Sequence, residues 1–196
     1  MTFTNIKIKK KLTPKLLLKN RIKIQMSFKY DNEKYLVEFE NKLLWKEKKN
    51  MKSLTQIAEY FLSKESMNQY KLQQLCYFYF GWSLALNIKS IKNPLFITTA
   101  HGAMNPSLMY HYKKYGFDNI PKTTFTTTNF TNEELELLEN VYFTYTDKDY
   151  TELEAIVIRS IPYQKTYQYH GINKPLDNRE IKEHFNHLNK VRMGGL

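Results

Sequence analysis

The chain has 196 residues, the length of one ordinary domain, and 42% of them are hydrophobic, which excludes disorder over the whole chain. Thirty Lys and Arg against 19 Asp and Glu give a formal net charge of +11, and the single cysteine, Cys76, excludes an internal disulfide framework and a cysteine-rich zinc module. No apolar run is long enough for a transmembrane helix or a secretory signal, so we expect a cytoplasmic protein with no membrane contact.

The positive charge is concentrated in the first quarter of the chain. Residues 1–50 carry 14 of the 30 basic residues and 5 of the 19 acidic ones, a net of +9, which leaves +2 for residues 51–196. This asymmetry predicts a basic N-terminal extension over residues 1–50, helical or partly disordered, that makes weak contact with nucleic acid. The residues that would carry the contact are Lys9, Lys10, Lys11, Lys15, Lys19, Arg21 and Lys23. The alternatives are a solvated extension or a segment upstream of a translation start at Met26 or Met51.

Hydrophobic spacing and capping residues predict a mainly α-helical chain. In the first part of the chain we expect helices over residues 12–25 and 33–48, followed by a helix that Thr55 caps. Further helices are expected over 68–86, 107–115 and 133–145. The last two should run from Asp149 or Thr151 to residue 160, and over 177–192. The 68–86 helix is apolar over most of its circumference and should be the central buried helix.

Few segments of the chain favour strands. Residues 95–99 should be extended, and residues 123–128 should form a short strand or an exposed loop. Pro162 should end the preceding helix at about residue 160. With no strand–helix alternation and no repeat, we predict a mainly α fold. It should be a single compact helical domain over 51–192, with at most a small β element.

Catalytic motifs are missing from the chain: there is no phosphate-binding glycine loop and no nucleophile elbow. Cys76 lies in the most apolar helix, which favours a structural thiol. A hydrolase or metal enzyme built around His101 with His111, or around His184 with His187, is the weaker hypothesis. For the second pair we expect two surface residues, because no third ligand has a predictable position.

An acidic face is expected on the 133–145 helix, where the helix dipole explains most of the pattern. Its members are Glu133, Glu134, Glu136 and Glu139. Nothing in the sequence signals the burial that paired carboxylates need for acid–base catalysis, so we expect no enzyme, no metal and no cofactor.

Five short motifs occur in an order known from one family. They are Asn68-Gln69-Tyr70-Lys71-Leu72-Gln73-Gln74-Leu75-Cys76-Tyr77 with Gly81-Trp82, then Pro94-Leu95-Phe96, Gly102-Ala103-Met104-Asn105-Pro106-Ser107-Leu108, Pro162-Tyr163, and Ile181 to Phe185. Residues 51–188 thereby resemble the Panacea domain of bacterial and phage antitoxins, whose first helix reads TNLKLQKLLYYAQGW. The chain departs from that family in having Gly102-Ala103-Met104 for its GPV, and Val157 and Ile158 near the place of its TH pair.

The resemblance implies a protein-binding function without catalysis. Panacea antitoxins neutralise a partner toxin directly, and one group delivers its toxin to a Clp-type protease. Aromatic anchors on a helical domain suit such a role. The candidate partner-binding residues are Lys71, Gln74, Tyr77, Trp82, His101, Tyr110 and Tyr112. For Tyr77 and Trp82 the alternative is a core position. The alternative function is nucleic-acid binding or autoregulation through residues 1–50.

Overall fold

The computed structural model describes residues 51–89 and 91–192. The seven basic residues predicted to contact nucleic acid, and the helices predicted over 12–25 and 33–48, lie outside the described residues. Within the described part the fold is mainly α, as predicted, with seven helices and two short strand pairs. The helices are α1 (Leu54–Lys64), α2 (Gln69–Ala85), α3 (Pro106–Tyr112), α4 (Asn132–Tyr145), α5 (Tyr150–Ile158), α6 (Ile161–His170) and α7 (Asn178–Arg192).

The two strand pairs are both antiparallel and very short. Strand β1 (Met67–Asn68) pairs with β4 (Asn119–Ile120), and β2 (Ile97–Thr99) forms a hairpin with β3 (Gly102–Met104). The backbone of β2 also bonds to the segment before α7, where the Thr98 N–H donates to the carbonyl of Lys174 over 2.9 Å. The β2–β3 hairpin is therefore tied to the domain along its second edge as well.

Helix α2 is the centre of the domain, as its apolar circumference predicts. It packs against α1, α4, α5 and α7, and most of its side chains are buried. The ring of Phe185 on α7 lies directly against the backbone of Gly81, where an added Cβ atom would overlap it. That ring also packs against the rings of Tyr77, Phe78 and Trp82. Glycine at position 81 thus allows α7 to bury an aromatic ring directly on the α2 backbone.

Several predicted helix ends are confirmed. Asn68 caps α2, its side chain accepting from the Lys71 N–H, and Thr131 caps α4 in a reciprocal capping box with Glu134. Asp149 caps α5 in the same way. These ends were predictable because each cap is a bond between residues no more than three apart.

Three other local predictions are wrong. Ser53, not Thr55, caps α1, because its side chain forms the capping box with Gln56. Helix α3 ends at Tyr112, and residues 113–115 form a tighter 3₁₀ turn before Gly116. Pro162 does not simply end a helix but lies in the first turn of α6, where its missing N–H costs nothing.

Of the two structures predicted for residues 123–128, a short strand or a loop, the loop is the one observed. The prediction that Glu134 belongs to an exposed acidic face is wrong, because its side chain is buried and forms an ion pair with buried Lys52 at 3.3 Å.

None of the helices in the described ranges combines the length and apolarity that crossing a bilayer requires.

Candidate functional site

Two adjacent glutamines of α2, Gln73 and Gln74, form hydrogen bonds with the backbone of the β2–β3 hairpin and of the residue that follows it. The buried side chain of Gln74 donates through Nε2 to the carbonyl of His101 at the hairpin tip, over 2.8 Å. Gly102 follows with a φ of +83°, and a Cβ there would lie 3.2 Å from the Gln74 amide. Both the backbone conformation and the close amide therefore favour glycine at this position.

The neighbouring Gln73 fixes the exit from the hairpin. Its amide accepts from the Asn105 N–H (2.9 Å) and donates to the Asn105 carbonyl (3.2 Å), as a neighbouring strand would. The Asn105 side chain in turn caps α3 through the Leu108 N–H and donates to the Leu95 carbonyl over 2.7 Å. Because the amides of Gln73 and Asn105 are buried and paired at both ends, we expect the hairpin to be rigid.

The rigid hairpin places His101 among aromatic side chains from other parts of the chain. The Tyr70 ring lies 4.7 Å from the His101 ring and stacks on Phe117 at 4.9 Å, with 24° between the planes. Tyr150 approaches Tyr70 at 6.0 Å, and Glu154 Oε2 lies 3.2 Å from His101 Nδ1. We call these five residues the hairpin patch.

The hairpin patch is open to solvent although its members support one another. The exposed fraction is 66% for Phe117 and 41% for the His101 side chain, and Tyr70 and Tyr150 are half-buried. Glu154 retains 21% exposure of its side chain. An exposed, mutually packed aromatic cluster is unusual on a surface that faces only water, and is typical of a binding surface.

The charge beside the patch is carried by carboxylates. Lys71, the nearest cation in sequence, is engaged by Glu65 Oε1 at 2.9 Å and by the carbonyl of Thr146 at 2.8 Å. Asp149, next to Tyr150, is exposed, and hydrogen bonds led by that of the Thr151 side chain lower its pKa. The patch therefore has one carboxylate at Glu154, paired with His101, and an ionised carboxylate at Asp149, the residue before Tyr150.

The predicted partner-binding residues are divided among three locations. His101 belongs to the hairpin patch, and Gln74 supports it from below the surface by bonding the His101 carbonyl. Lys71 instead binds Glu65 and the carbonyl of Thr146. Tyr77 is 1% exposed, which corresponds to the core alternative, and Tyr112 is buried, which raises the pKa of its phenol to about 12.

The remaining two predicted residues lie away from the patch contacts. Trp82 is partly buried against Phe185, and its indole N–H donates to the Tyr145 hydroxyl over 3.4 Å. Tyr110 is 71% exposed on α3, with Lys113 Nζ 4.0 Å from its ring centroid. Neither residue shares a ring contact with the hairpin patch in the described part of the chain.

Four patch residues were missed from the sequence: Tyr70, Phe117, Tyr150 and Glu154. Tyr70 lies inside the motif that carries the family resemblance, and its position in the first turn of α2 could have drawn attention to it. Phe117 follows Gly116, so an aromatic residue beside a turn was a weak signal. Nothing local distinguishes Tyr150 or Glu154.

The alternative chemical centres are not assembled in the described residues. Burial raises the pKa of the Cys76 thiol, as a structural cysteine requires. His111 packs its ring against Tyr112, whereas His101 contacts Glu154. In the second pair, His184 is half-buried and His187 is exposed. Within residues 51–89 and 91–192 no three ligand side chains cluster to hold a metal ion.

Comparisons of the chain with models of protein families, with curated proteins and with solved structures found no match. The resemblance of residues 51–188 to the Panacea domain stays a prediction from the motifs.

Proposed function

We propose that this chain is a non-enzymatic protein-binding domain that acts as the antitoxin of a toxin–antitoxin pair and contacts its partner through the hairpin patch. The observation that carries the binding role is the stack of exposed Phe117 on half-buried Tyr70, beside His101 at the tip of the hairpin. Aromatic anchors held in place before binding lose little entropy when a partner docks, so they contribute strongly to affinity. The antitoxin role, by direct neutralisation or by delivery to a Clp-type protease, comes from the motif resemblance.

The surroundings of His101 support binding rather than catalysis. In the described structure its ring contacts Glu154 and aromatic rings, and no serine, threonine or cysteine side chain bonds to it. A histidine–carboxylate pair without a nucleophile lacks the third member of a hydrolytic triad. The pair instead fixes the orientation of the imidazole on the surface.

The test is co-expression with the product of the neighbouring gene. We expect growth arrest by that product alone, relief by the full-length chain, and loss of relief with Phe117→Ala. Phe143→Ala is the matched control, because Phe143 is 72% exposed on α4 and makes no ring contact with the patch. Tyr110→Ala tests the residue chosen from the sequence. If the full-length chain neither binds the product nor relieves its toxicity, the proposal fails.

A second candidate function is nucleic-acid binding by residues 1–50, favoured by their net charge of +9. Each neutralised phosphate should contribute a slope of about −0.9 to the dependence of log affinity on log salt concentration. Replacing Lys9, Lys10 and Lys11 by Gln in the full-length chain should therefore make the slope shallower by about 3 if all three contact phosphates. An unchanged slope and affinity would remove these lysines from any such contact.

A further inference from the structure

Phe117 offers one ring face that the protein itself leaves uncovered. Its other face stacks on Tyr70 at 4.9 Å, and the His101 ring meets it at a steep angle, 81°, with centroids 6.5 Å apart. With two thirds of the residue still exposed, the outer face of the ring is open to solvent. An aromatic face carries partial negative charge and attracts a cation that lies over it.

Elsewhere in the described structure, four aromatic rings have one of the chain's own lysines over them. Lys113 Nζ lies 4.0 Å from the Tyr110 ring centroid and Lys114 Nζ lies 4.8 Å from that of Tyr115. Tyr60 and Phe130 are covered in the same way. Within residues 51–89 and 91–192, no lysine or arginine lies over Tyr70, Phe117 or Tyr150. The hairpin patch is thus among the aromatic surfaces of the described chain that have no cation of their own over them.

A carboxylate completes the complementarity to a cation. Glu154 bonds to one nitrogen of His101 and remains partly exposed, while Lys71 is already occupied by Glu65 and a backbone carbonyl. A ligand anion would meet Glu154 unfavourably, and a purely apolar side chain would remove water from that carboxylate without offering it a bond beyond the one to His101. A guanidinium or ammonium group is the chemistry that complements both an aromatic ring face and a carboxylate.

We propose that the hairpin patch receives a basic side chain, arginine or lysine, from a protein partner, with the cation over the outer face of Phe117 and Glu154 as the countercharge. This inference rests on the proposed protein-binding function and specifies the chemistry of the partner's contact segment. Arginine suits the site best, because its planar guanidinium can stack on a ring and bond a carboxylate at once.

The test is a titration of the full-length, ¹⁵N-labelled protein with N-acetyl-arginine methylamide, followed by NMR. The neutral isostere N-acetyl-citrulline methylamide is the matched probe. We expect saturable shifts of the amides of Tyr70, His101 and Phe117 with the arginine probe, and binding at least about threefold weaker with citrulline. Equal responses to the two probes, or arginine shifts confined to other surfaces, would overturn the assignment.

Variants separate the ring from the carboxylate. Phe117→Leu keeps an apolar side chain without a ring face, and Glu154→Gln keeps the shape without the charge, so each should weaken arginine binding about threefold or more. Phe143→Leu should leave it unchanged. If both patch variants bind the arginine probe as the parent does, the cation is not held by these two groups and the proposal fails.

Partner binding distinguishes this inference from the proposed function. If Phe117→Ala abolishes capture of the neighbouring gene's product while Glu154→Gln and added salt do not weaken it, the patch binds protein but not through a cation. If neither variant affects capture, the patch is not the binding surface, and the proposed function fails at this site. Loss of capture with both variants supports both statements.

Discussion

Replacing Gly81 by Ala tests the packing that holds α7 on the central helix. In an exposed helix this change is stabilising by about 1 kcal/mol, because alanine is the better helix former. Here the added Cβ would overlap the ring of Phe185, which is itself completely buried against α2. Overpacking of a filled core costs about 1–3 kcal/mol, and the ring cannot retreat without disturbing its contacts with Tyr77 and Trp82. We therefore expect Gly81→Ala to lower the free energy of unfolding despite its helix propensity.

The assay is urea unfolding followed by circular dichroism, with a double-mutant cycle. If the cost comes from the Phe185 ring, the pair Gly81→Ala with Phe185→Leu should be less destabilised than the sum of the two single variants, by about 1 kcal/mol or more. Gly171→Ala is the matched control: its φ is +80° and no atom lies within 4 Å of the added Cβ, so Phe185→Leu should not rescue it. A stabilising Gly81→Ala, or strict additivity with Phe185→Leu, would refute the packing argument.

Three further outcomes follow from buried groups. Lys52→Met leaves the buried carboxylate of Glu134 without its ion-pair partner, so the free energy of unfolding measured in urea should fall by about 3–5 kcal/mol. Adding Glu134→Gln should recover part of that loss, because it removes the buried charge. No recovery in the double variant would contradict the pairing. Because Cys76 is buried and its thiol pKa is raised, a thiol reagent should modify it only on unfolding, and rapid labelling of the native protein would contradict this. Burial, then the neighbouring His187, lowers the pKa of His184, so the unfolded chain binds the proton more readily. Stability should then fall as pH drops through about 6.5, and less so in His184→Gln, as urea midpoints at pH 5 and 8 would reveal.

The helices could be predicted from the sequence where their signals are local. The caps at Asn68 and Thr131 bond to residues three positions away, and the apolar circumference of α2 follows from its composition. Pro162 was misinterpreted because a proline after a helix equally suits the first turn of the next one. Glu134 was misplaced because its partner Lys52 is remote in the sequence, and no local pattern signals a buried ion pair.

The candidate site could be predicted only in part, because four separate parts of the chain form it: α2, the β2–β3 turn, the segment after Gly116, and α5. His101 was singled out by its position before Gly102, and the two glutamines of α2 explain why that turn is rigid. Phe117 and Tyr150 acquire their role only when the fold brings them to Tyr70. Tyr77 was a candidate anchor because a large aromatic residue has the same sequence signature in a core and at an interface.

The central claim is that the hairpin patch is the surface that binds the protein partner. Its most direct test is isothermal titration of the purified product of the neighbouring gene into the full-length chain, with Phe117→Ala and Phe143→Ala as a matched pair of exposed phenylalanines. We expect affinity at least about tenfold weaker for Phe117→Ala and unchanged for Phe143→Ala. Unchanged affinity for Phe117→Ala, or equal losses in both variants, would contradict the claim.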